Sequence, residues 1–166
     1  EGGELGYSLS TAYGAALDNP DLIVAALVGD GEAETGPTAG AWHINKLINP
    51  KTNGAVLPIV HLNGYKISGP TIYGRMSDNE LLSLFRGYGY QPRIVSGDNL
   101  NEQMEDALEW AYQTIQDIKH NDRVVSPRMP MIIMRTLKGW GGVKELNGQK
   151  IEGNALSHQV VLMEAK

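Results

Sequence analysis

Three largely apolar runs constrain this chain more than anything else in it: Leu22 to Val28, which is unbroken, Ala55 to Leu62, and Met131 to Met134. Each has the length of a strand. None alternates with polar residues, so each reads as buried on both faces, the mark of a parallel sheet. Pro58 interrupts the second run and cannot donate to a ladder; Val56, Leu57, Ile59, Val60 and Leu62 flank it and keep the strand. Between the runs lie stretches with helical spacing. Leu5 to Leu17 carries Leu5, Leu9, Ala12, Ala16 and Leu17 before Asn19-Pro20. Thr38 to Ile48 predicts a second helix. Ser77-Asp78-Asn79-Glu80 forms a capping box that opens a third, through Arg86. Asn101 to Lys119 predicts the clearest one, with Met104, Leu108, Ala111, Ile115 and Ile118 on its core face. Ile94-Val95 adds a short strand. Strand alternating with helix predicts an α/β fold: a three-layer, doubly wound parallel sheet with right-handed crossovers.

The 166 residues correspond to one domain, 1–166. There is no cysteine, which excludes disulfides, zinc–cysteine centres and thiol nucleophiles. A metal here must use oxygen or imidazole. The net charge of -5 argues against nucleic acid or an anionic membrane as partner. No apolar run approaches the roughly 20 residues of a membrane span. Glycine is abundant, 20 residues without a period, so each needs a local reason. The chain opens Glu1-Gly2-Gly3-Glu4, which resembles the interior of a functional loop and predicts a fragment of a longer protein.

In parallel sheets ligands bind beyond the carboxyl ends of the strands. Those positions here hold Gly29-Asp30-Gly31, Asn63-Gly64-Tyr65 and Arg135 to Lys138. Asp30 offers a hard carboxylate oxygen and Asn63 a hard amide oxygen. Magnesium takes such ligands, few from protein and the rest from phosphate oxygens and water. Gly29 and Gly31 let a backbone approach a ligand closely or take positive φ. Gly-Asp-Gly alone is a common tight turn, and Asn-Gly alone a hairpin signal. The pair spaced by 33 positions, each directly after a buried strand, points to a diphosphate–metal site. His61 reads as a hydrogen-bonded core histidine, and Trp42 and Trp110 as packing residues.

Gly29-Asp30-Gly31 through Asn63-Gly64 resembles the thiamine-diphosphate motif. With Gly2-Gly3-Glu4-Leu5-Gly6-Tyr7-Ser8, Glu32-Ala33-Glu34-Thr35-Gly36-Pro37, Phe85-Arg86-Gly87, Lys138-Gly139-Trp140 and Ser157-His158-Gln159, the chain resembles phosphoketolase along its whole length. It departs at Val161, where the family pattern has proline. The resemblance implies the thiamine-diphosphate-binding fold. It implies thiamine diphosphate and Mg2+ as cofactors, with Asp30, Asn63 and the backbone carbonyl of Tyr65 on the metal. Gly3, Gly29 and Gly31 would approach the diphosphate, Leu5 the cofactor rings, and Lys138 the phosphates. His158 would lie near the reacting carbons as the proton donor, with Gln159 on the substrate. Glu32 and Glu34 would lie near the cofactor and the subunit boundary.

The implied reaction is cleavage of xylulose 5-phosphate or fructose 6-phosphate by inorganic phosphate, giving acetyl phosphate and an aldose phosphate. The implied setting is a cytoplasmic homodimer, in which a second domain of the partner supplies the glutamate that faces the cofactor's aminopyrimidine ring. This chain alone is therefore expected to be inactive. Loose structure is expected at Ser68 to Met76 and Gly141 to Asn154. The alternatives are a transketolase-like ketol transferase domain and a non-catalytic α/β module for a phosphorylated ligand.

Overall fold

The fold is given by a computed structural model, which describes residues 4–67, 69–121 and 126–158. Four parallel strands form the sheet: β1 (Ile23–Gly29), β2 (Ala55–Leu62), β3 (Tyr90–Ser96) and β4 (Met129–Arg135). Their spatial order is β1-β2-β4-β3. A row of branched side chains crosses it in register: Val28 opposite Val60, Val60 opposite Ile133, Ile133 opposite Ile94. Pro58 pairs with Ala26 of β1, while the β2–β4 ladder starts only at Ile59. At Pro58 the strand therefore has a neighbour on one side only and tolerates the missing donor.

The helices are α1 (Ser8–Leu17), α2 (Asp30–Ala33), α3 (Gly36–Ala41), α4 (Asp78–Gly87) and α5 (Leu100–His120). They cover both faces. Successive residues of a strand point to opposite faces, and β3 shows which helix lies where. Tyr90 packs edge-on against Trp42, which also meets Phe85 of α4. Arg93, facing the other way, stacks its guanidinium over Trp110 of α5. So α1, α3 and α4 form one layer and α5 the other, the expected three-layer architecture. Trp42 is fully buried, and its indole N–H donates to the Ala33 carbonyl at 3.1 Å. It thereby ties the end of α2 to the aromatic cluster. The two tryptophans are packing residues, as their positions predict.

Several elements differ from the pattern. The first helix starts at Ser8, because Gly6 before it takes φ 104°, outside helical space. The second is split: α3 ends at Ala41 and a 3-10 turn runs Trp42–Lys46. There the Asn45 side chain donates to the Trp42 carbonyl at 2.6 Å, drawing it away from the i+4 ladder. On α5, Leu108 is exposed, and the buried stripe is Leu100, Ala107, Ala111, Ile115 and Ile118. A small hairpin, β5 (Glu145–Leu146) with β6 (Gln149–Lys150), turns through Asn147 and Gly148, both at positive φ. Asn-Gly is the turn signal that would have found it. None of the described helices is long and apolar enough to cross a membrane.

Candidate diphosphate and metal site

All four strands of the sheet run the same way, so their carboxyl ends share one edge, and the site is built there. Asp30 is the residue where β1 becomes α2. Its side chain is only 1% exposed. One oxygen, Oδ2, accepts from the Gly64 amide at 2.7 Å and the Thr71 hydroxyl at 2.8 Å. The other, Oδ1, accepts from the Gly31 amide at 3.1 Å. All three donors are neutral. Among the described residues no cationic side chain pairs with this carboxylate.

The loop after β2 folds back on itself. Asn63 Oδ1 accepts from the Tyr65 amide at 3.0 Å. Gly64 sits at φ 84°, where a side chain would be strained. The Thr71 amide donates to the Gly64 carbonyl at 3.0 Å, and the Lys66 amide to Gly69 at 2.7 Å. From beyond β4 comes Lys138, 7% exposed, whose Nζ donates to the Lys66 carbonyl at 3.0 Å. His158, exposed, ends a 3-10 turn at Ala155–His158.

These groups line one cleft of about 680 Å³. Its walls include Leu5, Gly29, Asp30, Gly31, Glu32, Asn63, Tyr65, Lys138 and His158, so of the sequence-predicted site residues that the structure describes only Glu34 is not in its wall. Gly3 and Gln159 lie outside the described residues. The glycines separate into two kinds. A Cβ at Gly29 would meet no protein atom within 4 Å, and one at Gly31 would make only ordinary contact with the Lys66 side chain at 3.5 Å. Packing demands neither, and neither takes positive φ. Both positions leave room for close approach of a ligand, while Gly64 is the conformational glycine.

Two further residues beside the cleft are fixed by hydrogen bonds, Glu32 in a contact the sequence did not reveal and His61 as the hydrogen-bonded histidine the sequence predicts. Glu32 Oε1 accepts from the Ser8 hydroxyl at 2.7 Å and from the Gly6 and Ser8 amides at 3.2 and 3.3 Å. Its carboxylate thus sits on the amino end of α1, where negative charge is favoured. His61 bonds Thr136 Oγ1 through Nε2 at 2.8 Å, and that hydroxyl donates to the Leu137 carbonyl at 3.1 Å. A hydroxyl has one proton to give, so His61 carries its own proton on Nε2. Burial lowers its pKa, against an upward pull from the Asp30 charge.

The donor set suits a hard divalent cation. No described cluster of three His, Cys, Asp or Glu side chains could hold a metal by itself. One carboxylate, one amide oxygen and one carbonyl leave several positions for outside oxygens, which is magnesium's preference. Asp30 is a buried anion and Lys138 a buried cation in the same cleft, and they are not paired with each other. Buried charges need partners. A cation beside Asp30 and an anion beside Lys138 would supply both.

Residues 1–166 match the XFP N-terminal domain. A probable phosphoketolase from Bradyrhizobium diazoefficiens is 56% identical over 96% of this chain and 21% of its own length. One from Schizosaccharomyces pombe is 56% identical over 100% of this chain and 21% of its own. The chain thus spans about a fifth of the length of these relatives. Among solved structures, transketolase from Campylobacter jejuni superposes with a TM-score of 0.61 at 22% identity, over 93% of this chain and 22% of that one. This likeness concerns the fold. The match along the whole sequence, at this level of identity to the curated relatives, places the chain in the XFP N-terminal domain family.

Proposed function

We propose that this chain is the diphosphate- and magnesium-binding part of a thiamine-diphosphate-dependent phosphoketolase. The whole enzyme would cleave xylulose 5-phosphate or fructose 6-phosphate with inorganic phosphate, releasing acetyl phosphate, an aldose phosphate and water. The observation that carries this reading is the convergence of Asp30, Asn63, Tyr65, Lys138 and His158 on one cleft walled by Gly29 and Gly31. Relatives named as probable phosphoketolases support it.

In this reading Asp30, Asn63 and the Tyr65 carbonyl hold the metal. Gly29, Gly31 and Gly3 let backbone lie against the diphosphate, whose charge the Lys138 ammonium offsets. Leu5 stands exposed in the cleft for the cofactor rings to cover. Thiamine diphosphate, when bound, supplies the electron sink for carbon–carbon cleavage. His158, on the open side, would serve as the proton donor near the reacting carbons, and Gln159 would contact the substrate. We further propose a homodimeric, cytoplasmic enzyme whose second domain supplies the carboxylate facing the aminopyrimidine ring.

Isothermal calorimetry with thiamine diphosphate and Mg2+ tests the site. The wild-type chain is expected to bind, and Asp30→Ala to lose at least tenfold in affinity. Equal binding by both would refute the ligand assignment. Assaying phosphate-dependent acetyl phosphate formation, with a full-length phosphoketolase alongside, is expected to show turnover by the long protein only. Transfer to an aldose acceptor without phosphate would favour a transketolase reaction instead.

A further inference from the structure

The loop after β2 does not stand by its own bonds alone, and the residues that hold it are absent from the ligand set above. Glu34, just beyond α2, has a side chain only 4% exposed. Its Oε2 accepts from the Ile72 amide at 2.6 Å and the Tyr73 amide at 3.2 Å. Its Oε1 pairs with Lys66 Nζ at 2.6 Å. Four positions earlier, Asp30 takes the Gly64 amide and the Thr71 hydroxyl. Thr71 is fully buried, and its hydroxyl oxygen also accepts from the Gly74 amide at 3.0 Å. A Cβ on Gly74 would come within 2.6 Å of the Gly64 Cα, so the loop's return strand lies directly against its outgoing one. One short stretch, Asp30 to Glu34, therefore grips the loop at both ends through two carboxylates.

From this we infer that Glu34 and Thr71 are positioning residues, which set Asn63 and Tyr65 opposite Asp30 before any metal or cofactor arrives. The inference rests on the metal-site reading above and adds residues that reading does not contain. A carboxylate accepting two backbone amides and an ammonium is among the stronger polar anchors a protein makes. Held at Oε2 by two amides and at Oε1 by the Lys66 ion pair, it favours one geometry. A loop that already holds the ligand positions spares the ordering cost at the moment of binding. Tyr73, buried against Phe85, is a separate apolar anchor. Weakening the carboxylate grip should therefore loosen the loop without unfolding the chain.

The test uses the 166-residue chain as wild type, Glu34→Gln, Thr71→Val, Thr71→Ser and Gly74→Ala. The first readout is amide hydrogen exchange without ligand. Glu34→Gln, Thr71→Val and Gly74→Ala are expected to speed exchange in peptides covering 64–75 by tenfold or more. Peptides from α5 and β4 serve as the folding control and should not change. The second readout is calorimetric affinity for thiamine diphosphate with Mg2+. The same three variants should lose about tenfold, and Thr71→Ser, which keeps the hydroxyl, should recover most of it. Unchanged exchange in 64–75 overturns the inference. So does a looser loop with unaltered affinity, which would make the grip structural only. Failure of the wild-type chain to bind would sink the metal-site reading itself, while the exchange result would still decide whether Glu34 and Thr71 hold the loop.

Discussion

Asp30 and Lys138 show how a single side chain can announce a ligand. Both are buried, both line the same cleft, and each is satisfied only by groups without formal charge. Neither would be placed so by packing alone, because a buried charge is costly unless paired or bound to a metal. Their separate roles make a separable prediction. Lys138→Met should weaken thiamine diphosphate binding by about ten- to hundredfold, the range of one hydrogen bond to a charged group, while leaving Mg2+ binding by Asp30 and Asn63 nearly intact. Titration of Mg2+ with and without thiamine diphosphate, on both proteins, measures the two effects. Of these charges, Asp30 was legible in the sequence because it follows a buried strand between glycines. The meaning of Glu32 and Glu34 was not. The resemblance implies a place for both near the cofactor and the subunit boundary; in the fold Glu32, in the cleft wall, bonds to the start of α1, and Glu34 to the loop after β2. Partners 24 and 38 positions away leave no local pattern to read.

At the scale of elements, local signals did well where they were self-contained. The capping box at the start of α4 is present as predicted: Glu80 Oε2 accepts from the Ser77 amide and hydroxyl, both at 2.8 Å, and Ser77 Oγ accepts from the Glu80 amide. Those bonds lower the Glu80 pKa from its ordinary value. A carboxyl depressed in the folded state contributes stability above its unfolded pKa and loses it as pH falls through the folded value. Glu80→Gln should therefore flatten the acid limb of the stability curve, between the ordinary carboxylate range and the lower folded value, in urea titrations at stepped pH. A steeper limb in the variant would contradict the assignment. The apolar runs found β1, β2 and β4 to within one or two residues. They missed most of β3, because Pro92 and Arg93 break its pattern; Arg93 lays its guanidinium over Trp110 and donates to the Asp106 carbonyl. The loop over 69–76, expected to be loose, is instead pinned by Asp30, Glu34 and buried Tyr73. Tertiary bonds supply that order, and composition cannot report them.

For the whole molecule, the sheet is covered unevenly. Ala26 and Val28 of β1 are buried, and Leu27 between them, facing the opposite way, is 62% exposed. The helix on that face, α5, packs on β3 and β4. On the same helix Leu108 and Tyr112 are also exposed. Exposed apolar surface on this scale promotes association. Sedimentation velocity is expected to show concentration-dependent self-association of this chain, reduced in Leu27→Glu; an ideal monomer at every concentration would count against it.

The order β1-β2-β4-β3 has a further consequence, which concerns time rather than shape. The last strand of this sheet to be made, β4, is inserted between two that already exist. Until Met129 to Arg135 emerge, β3 has no neighbour to bond and β2 lacks one side. Half the sheet must wait on contacts of long sequence separation, the kind that slows folding. During synthesis these open edges stay available to the wrong partner until Arg135 has emerged. The β4 strand is thus both central to the edge that carries the candidate site and the step at which misassembly competes with the native fold.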